Sequence, residues 1–80
     1  MLKTKYEFIT FQKVADKPKT TVWVCINNKS KDRLGMVGYF PGWHQYCYSP
    51  FFDTSYSAGC LRDIAEFMEN LRKSEQEKKP

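Results

Sequence analysis

The sequence lacks most of the residue groups on which enzyme and metal sites are built. His44 is the single histidine, and no Ser, Asp or Glu lies at a local spacing that would orient it. Glycine-rich phosphate loops and paired-histidine motifs are missing as well. Together with Cys47 and Cys60, His44 would supply three ligands, one short of a tetrahedral zinc site. The sequence therefore predicts no catalytic residue, no metal and no cofactor.

Long hydrophobic segments are also absent. No apolar run approaches the ~20 residues that span a bilayer, and the first seven residues, MLKTKYE, have no apolar core of the kind a secretory signal needs. The three cysteines cannot all pair within one chain. We therefore expect a cytoplasmic protein with free thiols and no membrane association. A Cys47–Cys60 disulfide is the alternative.

Lysine and arginine are absent from the middle of the chain. None occurs between Leu34 and Leu61, although eight of the thirteen Phe, Trp and Tyr residues lie there. Residues 1–33 instead carry eight Lys or Arg against three Asp or Glu. A surface that stacks nucleic-acid bases needs cations beside its aromatic rings. This separation therefore counts against nucleic-acid binding by the aromatic segment.

Four short segments have the alternation and the β-branched and aromatic composition of β-strands. They are residues 5–14, 21–27, 34–40 and 43–48. Polar loops separate the first three. Pro41-Gly42 predicts a turn of type II, or a wider loop, between the last two.

The C-terminal part of the chain predicts one amphipathic helix. Ser57 is expected to cap its N-terminus, with Ser55 as the alternative. Nothing apolar follows Arg72, so residues 73–80 are expected to form a charged flexible tail. Apolar residues recur at steps of three and four, which places these on one stripe: Leu61, Ile64, Ala65, Phe67, Met68 and Leu71.

These elements predict an α+β fold. We expect a four-stranded antiparallel meander covered on one face by a single C-terminal helix (ββββα), in one domain of residues 1–72. One helix cannot cover both faces of the sheet. The second face is either exposed or sealed by residues 49–57, which include Phe51, Phe52 and Tyr56.

Aromatic side chains on the third and fourth strands favour a protein-binding function. Aromatic residues with little charge are typical of interface cores, and homodimerisation would cover such a face equally well. We therefore predict a small non-enzymatic module that binds an unidentified protein partner, or a second copy, through Tyr39, Trp43, His44, Tyr46 and Tyr48. The alternative is nucleic-acid binding through the basic residues of the N-terminal strands and loops: Lys17, Lys19, Lys29, Lys31 and Arg33.

Two segments, VWVCINNKSKDRLGMVGYFPGWHQYCYSP and CLRDIAEFMENL, carry a distinctive spacing of residues. The spacing resembles a family of short uncharacterised bacterial and phage proteins. That family has a Trp-x-Val strand, a Leu-Gly-x-Ile-x-Trp-Tyr segment, a Trp-Arg-x-Tyr strand and a Cys-Leu-x-Asp-Ile-x-x-Phe helix. The resemblance covers about residues 22–71.

The resemblance has two departures and limited implications. Tyr39 stands where the pattern has Trp, and His44 where it has Arg, which removes a cation beside the aromatic strand. The resemblance implies a compact sheet-plus-helix domain of bacterial or phage origin. It implies no activity. From the phage setting alone, we expect a module of this size to modulate a host or defence protein.

Overall fold

One antiparallel sheet and one helix make up the structure, a computed structural model that describes residues 2–77. The strands are β1 (Ile9–Asp16), β2 (Thr21–Asn27), β3 (Arg33–Phe40) and β4 (Gln45–Pro50), and the helix is α1 (Ala58–Glu77). The sheet order is β1-β2-β3-β4, so each strand pairs with its neighbour in sequence. The predicted ββββα meander is confirmed.

The first strand begins at Ile9 instead of residue 5. Residues before it turn back along its outer edge, where the Tyr6 N–H donates to the Ile9 carbonyl and the Phe11 N–H donates to the Thr4 carbonyl, both at 2.8 Å. The alternating sequence therefore spans two short antiparallel pieces, which periodicity cannot distinguish from one continuous strand.

The β3–β4 connection is a loop of residues 41–44. The prediction of a type II turn at Pro41-Gly42 is therefore wrong, and the alternative prediction of a wider loop is confirmed. The Trp43 N–H donates to the Phe40 carbonyl at 3.1 Å, and the His44 N–H donates to the Pro41 carbonyl at 3.2 Å. His44, not Gly42, adopts the positive φ, of 54°. As a result Trp43 and His44 lie in the loop, and β4 begins only at Gln45.

The core lies between α1 and one face of the sheet. Phe67 of α1 stacks on Phe11 of β1, with ring centroids 3.9 Å apart, and Trp23 of β2 meets Phe67 edge-on at 5.2 Å. Stacked and edge-to-face rings stabilise a core beyond the area that they bury. The buried cluster comprises Tyr6, Ile9, Phe11, Cys25, Val37, Tyr46, Ile64, Phe67 and Leu71.

The buried stripe of α1 is rotated relative to the predicted one. Ile64, Phe67 and Leu71 are buried as expected, but Leu61 is 53 % exposed and Ala65 also lies at the surface. Cys60 packs against the core instead. Helical spacing alone accommodates either residue, because Leu61 lies three and Cys60 four residues before the buried Ile64.

Both ends of α1 have identifiable contacts. The Cys60 N–H donates to the Ser57 hydroxyl at 3.2 Å, which confirms Ser57 as the N-cap. At the other end the helix continues through Glu77, so the flexible tail predicted from residue 73 is wrong up to that point; residues 78–80 lie outside the described chain. Glu75 joins this end to the sheet by accepting hydrogen bonds from Thr21 and Tyr46. No helix formed by residues 2–77 has both the length and the apolar character needed to cross a membrane.

Candidate functional site

Two of the predicted contact residues, Tyr46 and Tyr48, belong to the core. Both point toward α1, since Tyr46 belongs to the buried cluster and Tyr48 packs against it. Tyr46 is 9 % exposed; its hydroxyl accepts the Thr21 N–H at 3.1 Å and donates to the Glu75 carboxylate. The expectation that these two rings lie on an exposed face is therefore wrong.

Tyr48 is held on the helix side by a second tyrosine. Its hydroxyl lies 2.6 Å from that of Tyr56, which in turn donates to the Leu34 carbonyl. Tyr56 packs against the core, whereas Phe52 is 98 % exposed. Tyr56 and Phe52 therefore do not seal the second face of the sheet. The expectation that residues 49–57 cover that face is wrong for these two side chains.

Burial raises the pKa of the titratable groups in this core. It raises the pKa of Cys25 to about 11 and, helped by the neighbouring Glu66 carboxylate, that of Tyr6 to about 12. The pKa values of Tyr46 and Tyr48 are also raised, first by burial and then by their hydrogen bonds to Glu75 and Tyr56. All four groups are neutral at pH 7, as expected for core residues.

The other three predicted contact residues lie at the surface. Trp43 is 66 % exposed, and His44 and Tyr39 are exposed as well. Trp43 meets Phe40 edge-to-face, with ring centroids 5.5 Å apart. Phe40, which the sequence did not single out as a contact residue, is itself 50 % exposed. Phe40 and Trp43 therefore form one exposed aromatic pair at the end of the β3–β4 hairpin.

Phe40 also belongs to the face of the sheet opposite α1, here called the open face. Strand register and alternation place these apolar side chains on it: Val22, Val24, Ile26, Met36, Phe40 and Cys47. Val24 is buried although it lies outside the core cluster, because its sheet neighbours crowd it. In the described part of the chain no helix covers this face and no acidic residue lies on it; Arg33 is its charged member, at one end.

Gly38 creates a recess in the middle of the open face. It pairs with Cys47 and lies between Met36 and Phe40 along β3. A Cβ atom built at Gly38 would have no atom within 4 Å, and its φ is not positive. Neither packing nor backbone conformation within the described chain requires glycine at this position. Glycine in a strand interior often marks a place where another molecule approaches closely.

The five cations named for nucleic-acid binding divide between the two ends of the sheet. Lys17 and Lys19 are in the β1–β2 loop, at the same end as Trp43. Lys29, Lys31 and Arg33 are at the opposite end, where β2 leads into β3. The seven residues of β2 separate these ends by about 20 Å. The five side chains therefore do not form one continuous surface.

The cysteines and the histidine are also dispersed. All three cysteines are free. Cys47 lies on the open face while Cys60 packs against the core on the helix side, so the two cannot form the disulfide that was left open. Within residues 2–77 no three His, Cys, Asp or Glu side chains come close enough to share a metal ion.

Comparison with known proteins adds no relative. No protein-family model matches the chain, and neither curated protein sequences nor solved structures gave a match. The candidate site is therefore defined by its own geometry: the open face, with its recess at Gly38, and the exposed pair Phe40 and Trp43 at its end.

Proposed function

We propose that this chain is a small non-enzymatic module that binds a protein partner through the open face and the Phe40–Trp43 pair. The observation that carries the proposal is the exposure of these two rings, 50 % and 66 %, at the end of an apolar sheet face that α1 leaves uncovered. Tryptophan is among the residues that most often dominate binding energy at protein interfaces. The contact set is thus shifted from Tyr46 and Tyr48 to Phe40, Trp43 and the side chains around Gly38.

The chemistry of the surface indicates the chemistry of the partner. The centre of the open face is apolar and uncharged, which suits an apolar protruding side chain over Gly38. Lys17 and Lys19 lie at the same end as Trp43. A partner surface with an apolar centre and acidic groups beside it would complement both features. For a phage-borne protein, such a partner would be a host protein whose activity the module alters.

The proposal is tested by pull-downs from host lysate with three forms of the protein as bait: the wild type, Trp43→Ala and Phe52→Ala. Phe52 is 98 % exposed and lies at the other end of the sheet, so its variant removes an aromatic ring that is even more accessible than Trp43. We expect a protein that is captured by the wild type and Phe52→Ala but lost with Trp43→Ala. Removing a tryptophan that dominates an interface typically costs 2 kcal/mol or more, about thirtyfold in affinity.

Two controls accompany the pull-down: the stability of the variants, and the binding of an oligonucleotide, which tests the alternative of nucleic-acid binding. Both variants are expected to unfold at nearly the wild-type temperature, because neither side chain belongs to the core cluster. Equal loss of the captured protein in both variants would contradict a site at Trp43. Tight binding of a random-sequence single-stranded oligonucleotide at physiological salt, falling steeply as salt rises, would favour nucleic-acid binding instead. The division of the cations between two ends gives that alternative less support.

A further inference from the structure

The two edges of the sheet differ in how their backbone is protected. Along the β1 edge, Thr4 and Tyr6 make backbone hydrogen bonds to Phe11 and Ile9. The same strand has an irregularity between Lys13 and Ala15 and carries a Lys13–Asp16 ion pair at 3.1 Å. Covering segments, bulges and charges are the usual devices that prevent an edge strand from pairing with another chain. The β1 edge has all three.

The β4 edge has none of these devices. Its sequence, QYCYSP, contains no charged residue, its register with β3 is regular, and its one proline is the last residue. Among residues 2–77 no backbone hydrogen bond outside the β3–β4 ladder involves the strand itself. This edge therefore presents unpaired backbone groups without a feature that discourages pairing.

The identity of the free groups follows from the ladder. Hydrogen-bonded and non-hydrogen-bonded pairs alternate between antiparallel strands. The Phe51 N–H donates to the Leu34 carbonyl at 2.9 Å, which makes that pair a hydrogen-bonded one. Counting back along β4, Tyr48 and Tyr46 belong to non-hydrogen-bonded pairs. Their N–H and C=O groups therefore point away from β3, toward the free edge.

We infer that β4 pairs with β4 of a second copy of this chain, antiparallel and centred on Cys47. In this register Tyr46 of each copy lies opposite Tyr48 of the other, and all the outward N–H and C=O groups of both residues are paired. The arrangement has a two-fold axis, so it closes as a dimer. It joins two four-stranded sheets into one of eight strands and makes their open faces continuous.

Neighbouring antiparallel registers leave more of the outward N–H and C=O groups of Tyr46 and Tyr48 unpaired. Centring the pair on Tyr48 would place Pro50, which has no N–H, opposite Tyr46. Centring it on Tyr46 would place His44 opposite Tyr48, and the His44 N–H already donates to the Pro41 carbonyl. The register centred on Cys47 therefore uses the edge most fully. It brings the two Cys47 side chains face to face, because directly opposite residues share one face of a sheet.

A charge exchange at Cys47 tests this register with the purified protein alone. Cys47 points away from the core, so Cys47→Lys and Cys47→Glu are expected to fold. A six-residue strand is a small contact beside the about 1,200–2,000 Å² of stable interfaces, so association is measured by sedimentation velocity up to high concentration. We expect wild-type dimers, two monomeric variants, and dimers again when the variants are mixed.

The control for the charge exchange is Gln12→Lys. Gln12 is an exposed open-face residue of β1, far from the β4 edge, and its variant should still dimerise. A monomeric wild type at every concentration, or mixed variants that remain monomeric, would overturn the inference. Loss of dimers with Gln12→Lys would show that copies meet through the whole open face and not through the edge. None of these readouts depends on the protein partner proposed above.

Oxidative crosslinking provides a second and independent test. Dioxygen with copper phenanthroline oxidises two facing thiols to a disulfide, so the wild type should form a covalent dimer that Cys47→Ser loses and Cys60→Ser keeps. Ser49 lies on the same face but two residues away from the centre. Ser49→Cys in the Cys47→Ser background should therefore crosslink at least tenfold more slowly than the wild type. Equal rates at the two positions would contradict the register.

Discussion

The two glycines of β3 should respond in opposite directions to the same substitution. At Gly35, a Cβ atom would lie 2.7 Å from the Ser49 carbonyl oxygen and 2.5 Å from Cζ of Tyr48. At Gly38, a Cβ atom would meet nothing within 4 Å. Both glycines have ordinary φ values, so the backbone accepts alanine at either position. We predict that Gly35→Ala destabilises the protein and that Gly38→Ala stabilises it.

The two magnitudes follow from these surroundings. Overpacking at a site where backbone must move costs about 1–3 kcal/mol, and the Ser49 carbonyl is fixed by the β3–β4 ladder. Replacing an unstrained strand glycine with alanine gains about 0.5–1 kcal/mol, because the unfolded chain loses freedom. A change of one kcal/mol in the free energy of unfolding moves the thermal unfolding midpoint of a domain of this size by about 4–8 °C. A Gly35→Ala cost near 2 kcal/mol therefore lowers the midpoint by about 8–16 °C, while Gly38→Ala raises it by about 2–8 °C.

Thermal unfolding followed by circular dichroism, with urea denaturation for the free energy of unfolding, measures both effects. The Gly35→Ala cost should fall when it is repeated in a Tyr48→Ala background, because the ring that meets the new methyl group is gone. A destabilising Gly38→Ala would refute the open recess. A Gly35→Ala variant with the same free energy of unfolding as the wild type would refute the close approach of Tyr48. Gly38→Ala should also weaken capture of the partner while the fold becomes more stable, a combination that loss of folding cannot produce.

Two further predictions concern the polar and titratable groups of the core. Tyr46→Phe removes the hydroxyl that donates to Glu75 and accepts from Thr21. We expect it to lower the free energy of unfolding by about 1.5–3 kcal/mol. Tyr39→Phe, which changes an exposed ring, is the near-neutral control. The folded chain holds the protons of Cys25 and Tyr6 more tightly than the unfolded chain does, because both pKa values are raised, to about 11 and about 12. Their contribution to stability should therefore be constant below about pH 9 and fall as the pH rises toward these folded-state values. Urea denaturation at a series of pH values checks this, and a free energy of unfolding that is unchanged at pH 11 would contradict the buried positions of the two groups.

Local periodicity was sufficient to predict the fold but not its boundaries. Alternation identified four strands and helical spacing identified α1, since each element buries one side. The errors lie where two structures share one pattern. The alternating residues 5–14 contain a backbone reversal at Glu7 and Phe8, and the stripe of α1 could include Leu61 or Cys60. The helix end was missed because the contacts of Glu75 with Tyr46 and Thr21 join residues far apart in sequence.

The candidate site was predicted only in part. Aromatic composition pointed to the β3–β4 hairpin, and Trp43 is indeed exposed there. Tyr46 and Tyr48 were assigned to the wrong environment, because alternation divides a strand into two faces without saying which one the helix covers. The signal for Phe40 was present, since it alternates with Tyr39 and shares a face with Met36. What was missing was the side on which α1 packs.

That side is determined by shape, which appears only when the strands are assembled. On the helix side, the large rings of Phe11 and Trp23 stand beside the small residues Gly35 and Val37, and Phe67 fits against both rings. The opposite side has Val24, Met36 and Gly38 in its middle, and its pair of rings, Phe40 and Trp43, lies at its end. A helix carrying Phe67 therefore gains more contact on the first side. The same choice leaves the second side, and the aromatic pair at its end, uncovered by α1.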